Sequence, residues 1–282
     1  MLFLGTGAAE LYPNPFCNCE TCQRARREGA IPRKRSALLV NAETLLDFGP
    51  EVPAASQMYN APLSSVRQVF ITHTHEDHFS RSTLDILTMS RTRFGDPLIF
   101  YMSPEALSWV ETVEKEQAGR FFQSLRSHDV ARFCPLEPYR PHQIGGMEVF
   151  AVQSNHHGEG EGELALNYRL TLADGTKLLY VTDSGLYSKD NLLALKDSRC
   201  NVLVMEGTNG NREVPRDAGH LNAAHFCENV ANMAEYGVIA RDARVYVTHI
   251  NQVNSFSHAE YQAYLDENCV IPAVVAYDGM TI

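Results

Sequence analysis

Six consecutive residues, His73-Thr74-His75-Glu76-Asp77-His78, carry three imidazoles and two carboxylates directly behind the apolar run Val69-Phe70-Ile71. A buried strand ending on such a cluster constrains the fold, because layered α/β proteins gather ligand groups at the carboxyl ends of strands along a shared edge. In an extended segment, side chains at i and i+2 share a face, so His73 and His75 can reach one metal ion while Thr74 and Glu76 face elsewhere. Asp77 and His78, where the chain turns toward a helix starting near Phe79, can then address a second ion. Mixed imidazole and carboxylate ligation suits zinc, manganese or iron, and two such ions can activate water and stabilise the charge that develops on an attacked group.

The rest of the chain alternates short apolar runs with amphipathic stretches, the pattern of a layered α/β protein. Strands are expected at 1–5, 36–40, 44–48, 69–72, 98–101, 147–152, 164–172, 177–182, 202–206, 244–248 and 273–277, with helical spacing clearest at 103–117, 222–236 and 257–267. Asn41-Ala42-Glu43 and Ala173-Asp174-Gly175-Thr176 read as tight hairpin links, so antiparallel pairs are mixed into the sheets and a purely parallel doubly wound fold is disfavoured. "VFITH" at 69–73 and "VYVTH" at 245–249 end alike, and "LLDFG" at 45–49 echoes "LLYVTDSG" at 178–185, which suggests two similar halves. No low-complexity linker interrupts the chain. We read residues 1–282 as a single domain with a cysteine-bearing loop at about 13–35.

Composition narrows the partners. With 282 residues, 44% of them hydrophobic, the chain can bury a large core, and a formal net charge of −10 is a poor match for gripping a long nucleic acid. A small anionic substrate held by local positive groups remains compatible, as does a homodimer. The start of the chain lacks a basic lead-in and a long apolar run, and no stretch reaches the length of a membrane span, so a cytoplasmic protein without membrane contact is expected. In a reducing compartment the seven cysteines are expected to be thiols or metal ligands rather than disulfides.

H-x-H-x-D-H behind a strand resembles the first metal motif of the metallo-β-lactamase superfamily. The resemblance implies an αββα sandwich, two mixed sheets between outer helices, with a dinuclear site between the sheets. "SNHHGEG" then offers His156 as the third-motif histidine, with His157 as its competitor, "YVTDSG" offers Asp183 as bridging carboxylate, and "VYVTHI" offers His249 as the last histidine. One divalent transition metal would take His73, His75 and His156, the other Asp77, His78 and His249, with Asp183 between them.

Within the superfamily, "FLGTGAAELYPNPFCNCETCQRARR", "RKRSALLV" and "LLDFGPE" resemble the phosphoribosyl cyclic phosphate phosphodiesterases of bacterial phosphonate breakdown. That resemblance implies an additional structural zinc on Cys17, Cys19 and Cys22, whose close thiolate spacing suits one tetrahedral ion. The histidine that completes the site in those enzymes is replaced here by Gln252, so His258 or a water takes its place, or the site is empty. It also makes His220, in "GHLNAAHF" before a helix capped by Asn222, a catalytic candidate beside Asp77, since an imidazole near neutral pKa can position phosphate or protonate a leaving oxygen. Arg212 and Arg216, in the loop before it, are candidates for holding a substrate phosphate. "GEGEGE" after His157 reads as a mobile flap or a solvated hairpin loop.

The expected activity is therefore hydrolysis of a small, cyclic or sugar-like phosphodiester by a metal-bridging hydroxide on zinc or manganese, with iron as a further choice. Two rivals come from other classes: a non-haem iron oxygenase of the same fold, resembling the protein that assists pyrroloquinoline quinone synthesis, and a non-catalytic metal-binding or partner-binding protein.

Overall fold

In the computed structural model, which describes residues 1–30, 32–91, 96–116 and 129–282, both expected hairpins form. The first sheet contains β1 (Leu2–Gly5), β2 (Ala37–Asn41), β3 (Thr44–Leu46), β4 (Gln68–Phe70), β5 (Leu98–Met102) and β6 (Ala131–Pro135), hydrogen-bonded in that order. Its β1–β2 and β2–β3 pairs are antiparallel and β3 through β6 run parallel. The second sheet contains β7 (Pro141–Ile144), β8 (Met147–His157), β9 (Leu164–Thr171), β10 (Lys177–Val181), β11 (Cys200–Glu206), β12 (Ile239–Thr248) and β13 (Ala273–Val275), adjacent in reverse numerical order. There β7 through β10 are antiparallel and β10 through β13 parallel.

Alternation along each strand sends one set of side chains between the sheets and the other beneath helices. Phe3, Leu38, Leu46 and Phe70 from the first sheet meet Val149, Leu166, Tyr168, Tyr180 and Val204 from the second in one buried cluster. Val69 and Ile71, the neighbours of Phe70, instead join the outer core with α2 (Val52–Met58), α3 (Arg81–Arg91) and α4 (Pro104–Glu116). On the other side α5 (Lys189–Ala194), α6 (Ala223–Glu235) and α7 (His258–Asn268) bury Leu192, Phe226, Val230, Tyr261 and Leu265 on the second sheet. Each fully buried large aliphatic or aromatic side chain contributes roughly 1.5–3 kcal/mol, so the strands of both sheets are held from both faces. The result is the αββα sandwich expected from the sequence.

Some expectations needed correction. β6 and β7 were not foreseen, because both are edge strands carrying a proline and each exposing two of its residues. Part of the cysteine-bearing segment is helix rather than loop: α-helical residues Glu20–Glu28 are rich in Glu, Gln, Ala and Arg, carry Arg26 and Arg27 in the last turn, and end on Gly29 in a left-handed cap. Position 31 of that segment and Gln117 of the expected 103–117 helix lie outside the described residues. Not all cysteines are thiols or candidate ligands: Cys227 on α6 and Cys269 at the end of α7 form a disulfide, with Cα atoms 4.8 Å apart. Their separation of 42 positions conceals a contact that only the packing of the two helices creates.

Two of the four sheet edges are covered by backbone-like contacts. Along β1, Phe3 N donates to Met280 O at 3.0 Å and Gly279 N to Phe3 O at 2.8 Å. Along β13, the Gln262 side chain on α7 donates to Ala273 O at 2.8 Å and accepts from Val275 N at 2.9 Å. No helix of the described residues is long and apolar enough to cross a membrane.

Candidate metal centre

The ends of β4, β8, β10 and β12 meet where the two sheets open toward one edge. The chain after β4 turns tightly, with His78 N and Phe79 N both donating to His75 O, at 2.9 and 2.8 Å, so that all three motif histidines and Asp77 point inward. Gly49 is needed at this turn, since a side chain there would meet Asp77 O at 2.3 Å. Asp183 and His249 both leave their strands through left-handed backbone, each with φ of 52°, a conformation unusual for residues other than glycine.

Asp183 divides its carboxylate between two groups of imidazoles. Oδ1 lies 3.9 Å from His73 Nε2, 3.7 Å from His156 Nε2 and 3.8 Å from His220 Nε2. Oδ2 lies 3.0 Å from His78 Nε2 and 3.2 Å from His249 Nε2. On the Oδ1 side, His75 Nδ1 approaches His73 Nε2 at 2.8 Å and His156 Nε2 at 3.3 Å. On the Oδ2 side, Asp77 Oδ2 is 3.2 Å from His78 Nε2 and 3.7 Å from His249 Nε2. The residues expected to bind two ions are thus brought together in the two expected sets. His156 rather than His157 enters the cluster; His157 is exposed and pairs with Leu164 in the β8–β9 ladder.

The donor set fits divalent cations. Burial, followed by the charge of His78, holds His73 well below its ordinary pKa, and burial pushes His156 down to about 4, which keeps lone pairs available on both. Asp77 and Asp183 stay ionised despite their burial because imidazoles surround them, His78 first for Asp77 and His249 first for Asp183. Asp183 Oδ2 is buried yet receives no properly directed hydrogen bond, the condition a cation would relieve.

Behind this layer, two carboxylates orient imidazoles, and neither was foreseen as a site residue. Asp47, buried and left-handed with φ of 63°, faces His78 Nδ1 at 2.8 Å and also accepts from Thr72 N and Thr72 Oγ1, both at 2.9 Å. Glu206, at the end of β11, faces His220 Nδ1 at 2.9 Å and accepts from Ser184 N at 2.7 Å and Leu221 N at 3.2 Å. Burial opposes charging His220, but the Glu206 carboxylate outweighs it and raises the imidazole to about 9. Thr208 Oγ1 meets His249 Nδ1 at 2.9 Å, which orients that ring too. The echo between "LLDFG" and "VTDSG" was the available signal for Asp47. For Glu206 it was a lone carboxylate closing the apolar run Val202–Met205.

The "GEGEGE" segment is the link of the β8–β9 hairpin, exposed at Glu159, Glu161 and Gly162 but anchored at its far end. Glu163 is fully buried and accepts from Thr74 N and Gly160 N, both at 2.8 Å, and from Thr74 Oγ1. The alternating glycines follow from this contact: a side chain at Gly158 would lie 2.3 Å from Glu163 Cδ, and one at Gly160 2.9 Å from Glu163 Oε2. Glu163 therefore clamps the segment onto the residue between His73 and His75.

Arg212 and Arg216 have other partners than a phosphate site. Arg216 pairs with Glu228, and the Arg212 guanidinium faces the carbonyls of Thr208, Asn209 and Val253. No described contact joins either to the histidine cluster. Cys17, Cys19 and Cys22 do converge, their sulfurs within 4.8 Å of one another. Backbone amides of Cys22 and Asn254 offset the effect of burial on Cys19 and lower it to about 6, whereas burial raises Cys22 to about 11. Gln252 is turned away to Arg33 Nε at 2.8 Å and Phe256 O at 3.1 Å, and His258 Nδ1 faces Arg33 Nη2 at 3.0 Å.

Comparison with known proteins agrees with this geometry. Residues 43–250 match the sequence profile described as the beta-lactamase superfamily domain. Zinc-bound PqqB from Methylobacterium extorquens superposes with a TM-score of 0.73 at 19% identity, covering 100% of this chain and 98% of that one. A diphosphatase of the PhnP family superposes with a TM-score of 0.72 at 17% identity, covering 99% of this chain and 94% of the other. The short form of human tRNase Z gives 0.61 at 17% identity, with 100% and 97% covered. At these identities the likeness is one of fold. No curated protein sequence matches significantly.

Proposed function

Because this chain belongs to the metallo-β-lactamase superfamily, we propose that it is a metal-dependent phosphodiesterase acting on a small phosphodiester. His73, His75 and His156 would hold one divalent ion and Asp77, His78 and His249 the other, with Asp183 between them through its two oxygens. Zinc or manganese suits this donor set, and iron is the third choice. Bound there, such ions supply Lewis acidity and an activated water.

The observation that carries the reading is the His220–Glu206 pair. Glu206 fixes His220 Nδ1 at 2.9 Å, and His220 Nε2 lies 3.8 Å from Asp183 Oδ1, so the ring presents that nitrogen to the histidine cluster, where it can hand a proton to an oxygen leaving group. Ester hydrolysis that expels an alkoxide needs such an acid. The net charge of −10 and the engaged arginines favour a small diester over a long nucleic acid. The fold neighbours named as a diphosphatase and as tRNase Z lend analogy only. A zinc on Cys17, Cys19 and Cys22 would pin the segment before Gly29. Neither Gln252 nor His258 turns toward it, which favours a water as the fourth ligand. A cytoplasmic location remains part of the same proposal, with Cys227–Cys269 an exception to the thiols expected in that compartment.

The test is hydrolysis of a panel of phosphodiesters, cyclic phosphates, thioesters and lactams by metal-reconstituted protein, with metals quantified in the same preparation. His220→Ala should lower turnover of diesters with alkyl leaving groups by roughly two to four orders of magnitude and of nitrophenyl esters much less. Activity confined to thioesters or lactams, or oxygen consumption by the iron-loaded protein, would overturn the proposal.

A further inference from the structure

Beside His75 the chain forms a cavity of about 350 Å³ whose walls include Trp109 and Phe79, with Glu76, Glu159 and Arg81 as its charged groups. Thr74, between two motif histidines, also lines it. The cavity adjoins the histidine cluster directly, since Glu159 Oε1 lies 3.8 Å from His75 Nε2. Its geometry is fixed from behind. Glu159 N donates to Thr74 Oγ1 at 3.0 Å, on the same threonine that Glu163 clamps. Glu76 is held by Ser80 Oγ at 2.7 Å, and Trp109 packs on the outer core of the first sheet.

We infer that this cavity is a subsite for the alcohol portion of the substrate and that it takes an ammonium-bearing alcohol in preference to one carrying a second anionic group. The inference rests on the phosphodiesterase reading for the word substrate, and on the cavity alone for its ligand preference. Because the cavity opens beside His75, a diester placed on the histidine cluster can project one alcohol substituent into it. There it meets the Trp109 indole, a ring whose quadrupole can attract a cation, and two carboxylates against one guanidinium. A second phosphate or carboxylate on that substituent would face Glu159 and Glu76 at close range. At an effective dielectric between protein surface and water, a charge about 5 Å away shifts binding by roughly tenfold, favouring one sign and penalising the other.

Trp109 is the only tryptophan in the chain, so its fluorescence reports on this cavity without interference. The experiment has two arms. In the first, metal-reconstituted protein hydrolyses three p-nitrophenyl diesters that differ only in the second alcohol: methyl, cholinyl and 2-carboxyethyl. The cholinyl ester should exceed the carboxyethyl ester in kcat/KM by about tenfold or more, and Glu159→Lys should reverse that order. In the second, choline chloride and sodium acetate are titrated against Trp109 emission. Choline should give a saturable change that Glu159→Lys abolishes, and acetate should give none. Equal kcat/KM for the two charged esters, or a saturable response to acetate and not to choline, would overturn the subsite. Should no diester be hydrolysed while choline still titrates Trp109, the phosphodiesterase reading falls and the cation-binding cavity stands.

Discussion

Replacing Glu206 by Gln keeps the shape of the carboxylate and removes its charge from His220. The displacement of His220 from 6.5 to about 9 corresponds to about 3 kcal/mol at 1.36 kcal/mol per pH unit, and with its side chain 29% exposed the ring is sheltered enough for most of this to be felt. Because the folded value lies above the unfolded one, that stability is fully present below pH 6.5 and is lost as the pH rises through 9. Urea unfolding of chelator-treated wild type and Glu206→Gln, at pH 6 and again at pH 9.5, measures it. The variant should be less stable at both, since Ser184 N and Leu221 N lose a charged acceptor, but the deficit should be larger at pH 6 by up to about 3 kcal/mol. NMR titration of His220 should move from near 9 to 6.5 or below. A deficit equal at the two pH values, or an unmoved His220 titration, would show that Glu206 does not hold the imidazole charged.

Glu163→Gln should destabilise the protein by about 1–3 kcal/mol in the same assay, because its amide nitrogen would face either Thr74 N or Gly160 N in a fully buried site; a loss below about 0.5 kcal/mol would refute the clamp. Asp183→Ala should lower bound metal, measured by elemental analysis, because two cations held close together lose the anion between them; unchanged stoichiometry would remove Asp183 from the centre. Cys19→Ser should release one zinc and leave the histidine site loaded, whereas unchanged metal content would identify the three sulfurs as free thiols.

The groups that were legible in the sequence are those whose signal is local. His73 to His78 announce themselves by density, and Asp183 and His249 by standing at the ends of apolar strands in an order shared with His156. Asp47 and Glu206 were not read as site residues because their meaning depends on His78 and His220, rings that only the fold brings to them. Glu163 illustrates the same limit, since its partner Thr74 is 89 positions away and nothing near it distinguishes it from the exposed Glu161. β6 and β7 escaped notice for a different reason: half-solvated edges lack the continuous apolar run that marks an interior strand. Arg212 and Arg216, a cationic pair beside the site in sequence, are turned by the fold to local carbonyls and Glu228, a placement their sequence position does not reveal.

An open sheet edge invites a foreign strand, and the two sheets of the described residues have four edges between them, of which two are covered. At β1 the residues near Met280 already occupy the position an incoming chain would take, and at β13 the amide of Gln262 imitates a strand's donor and acceptor in one side chain. β6 and β7 each carry a proline, Pro135 and Pro141, that cannot donate to a new ladder. Growth by adding strands is therefore discouraged most at β1 and β13, and less at β6 and β7, where one proline removes a single donor. Gln262→Ala, by uncovering Ala273 O and Val275 N, is the change expected to open the β13 edge to an incoming strand.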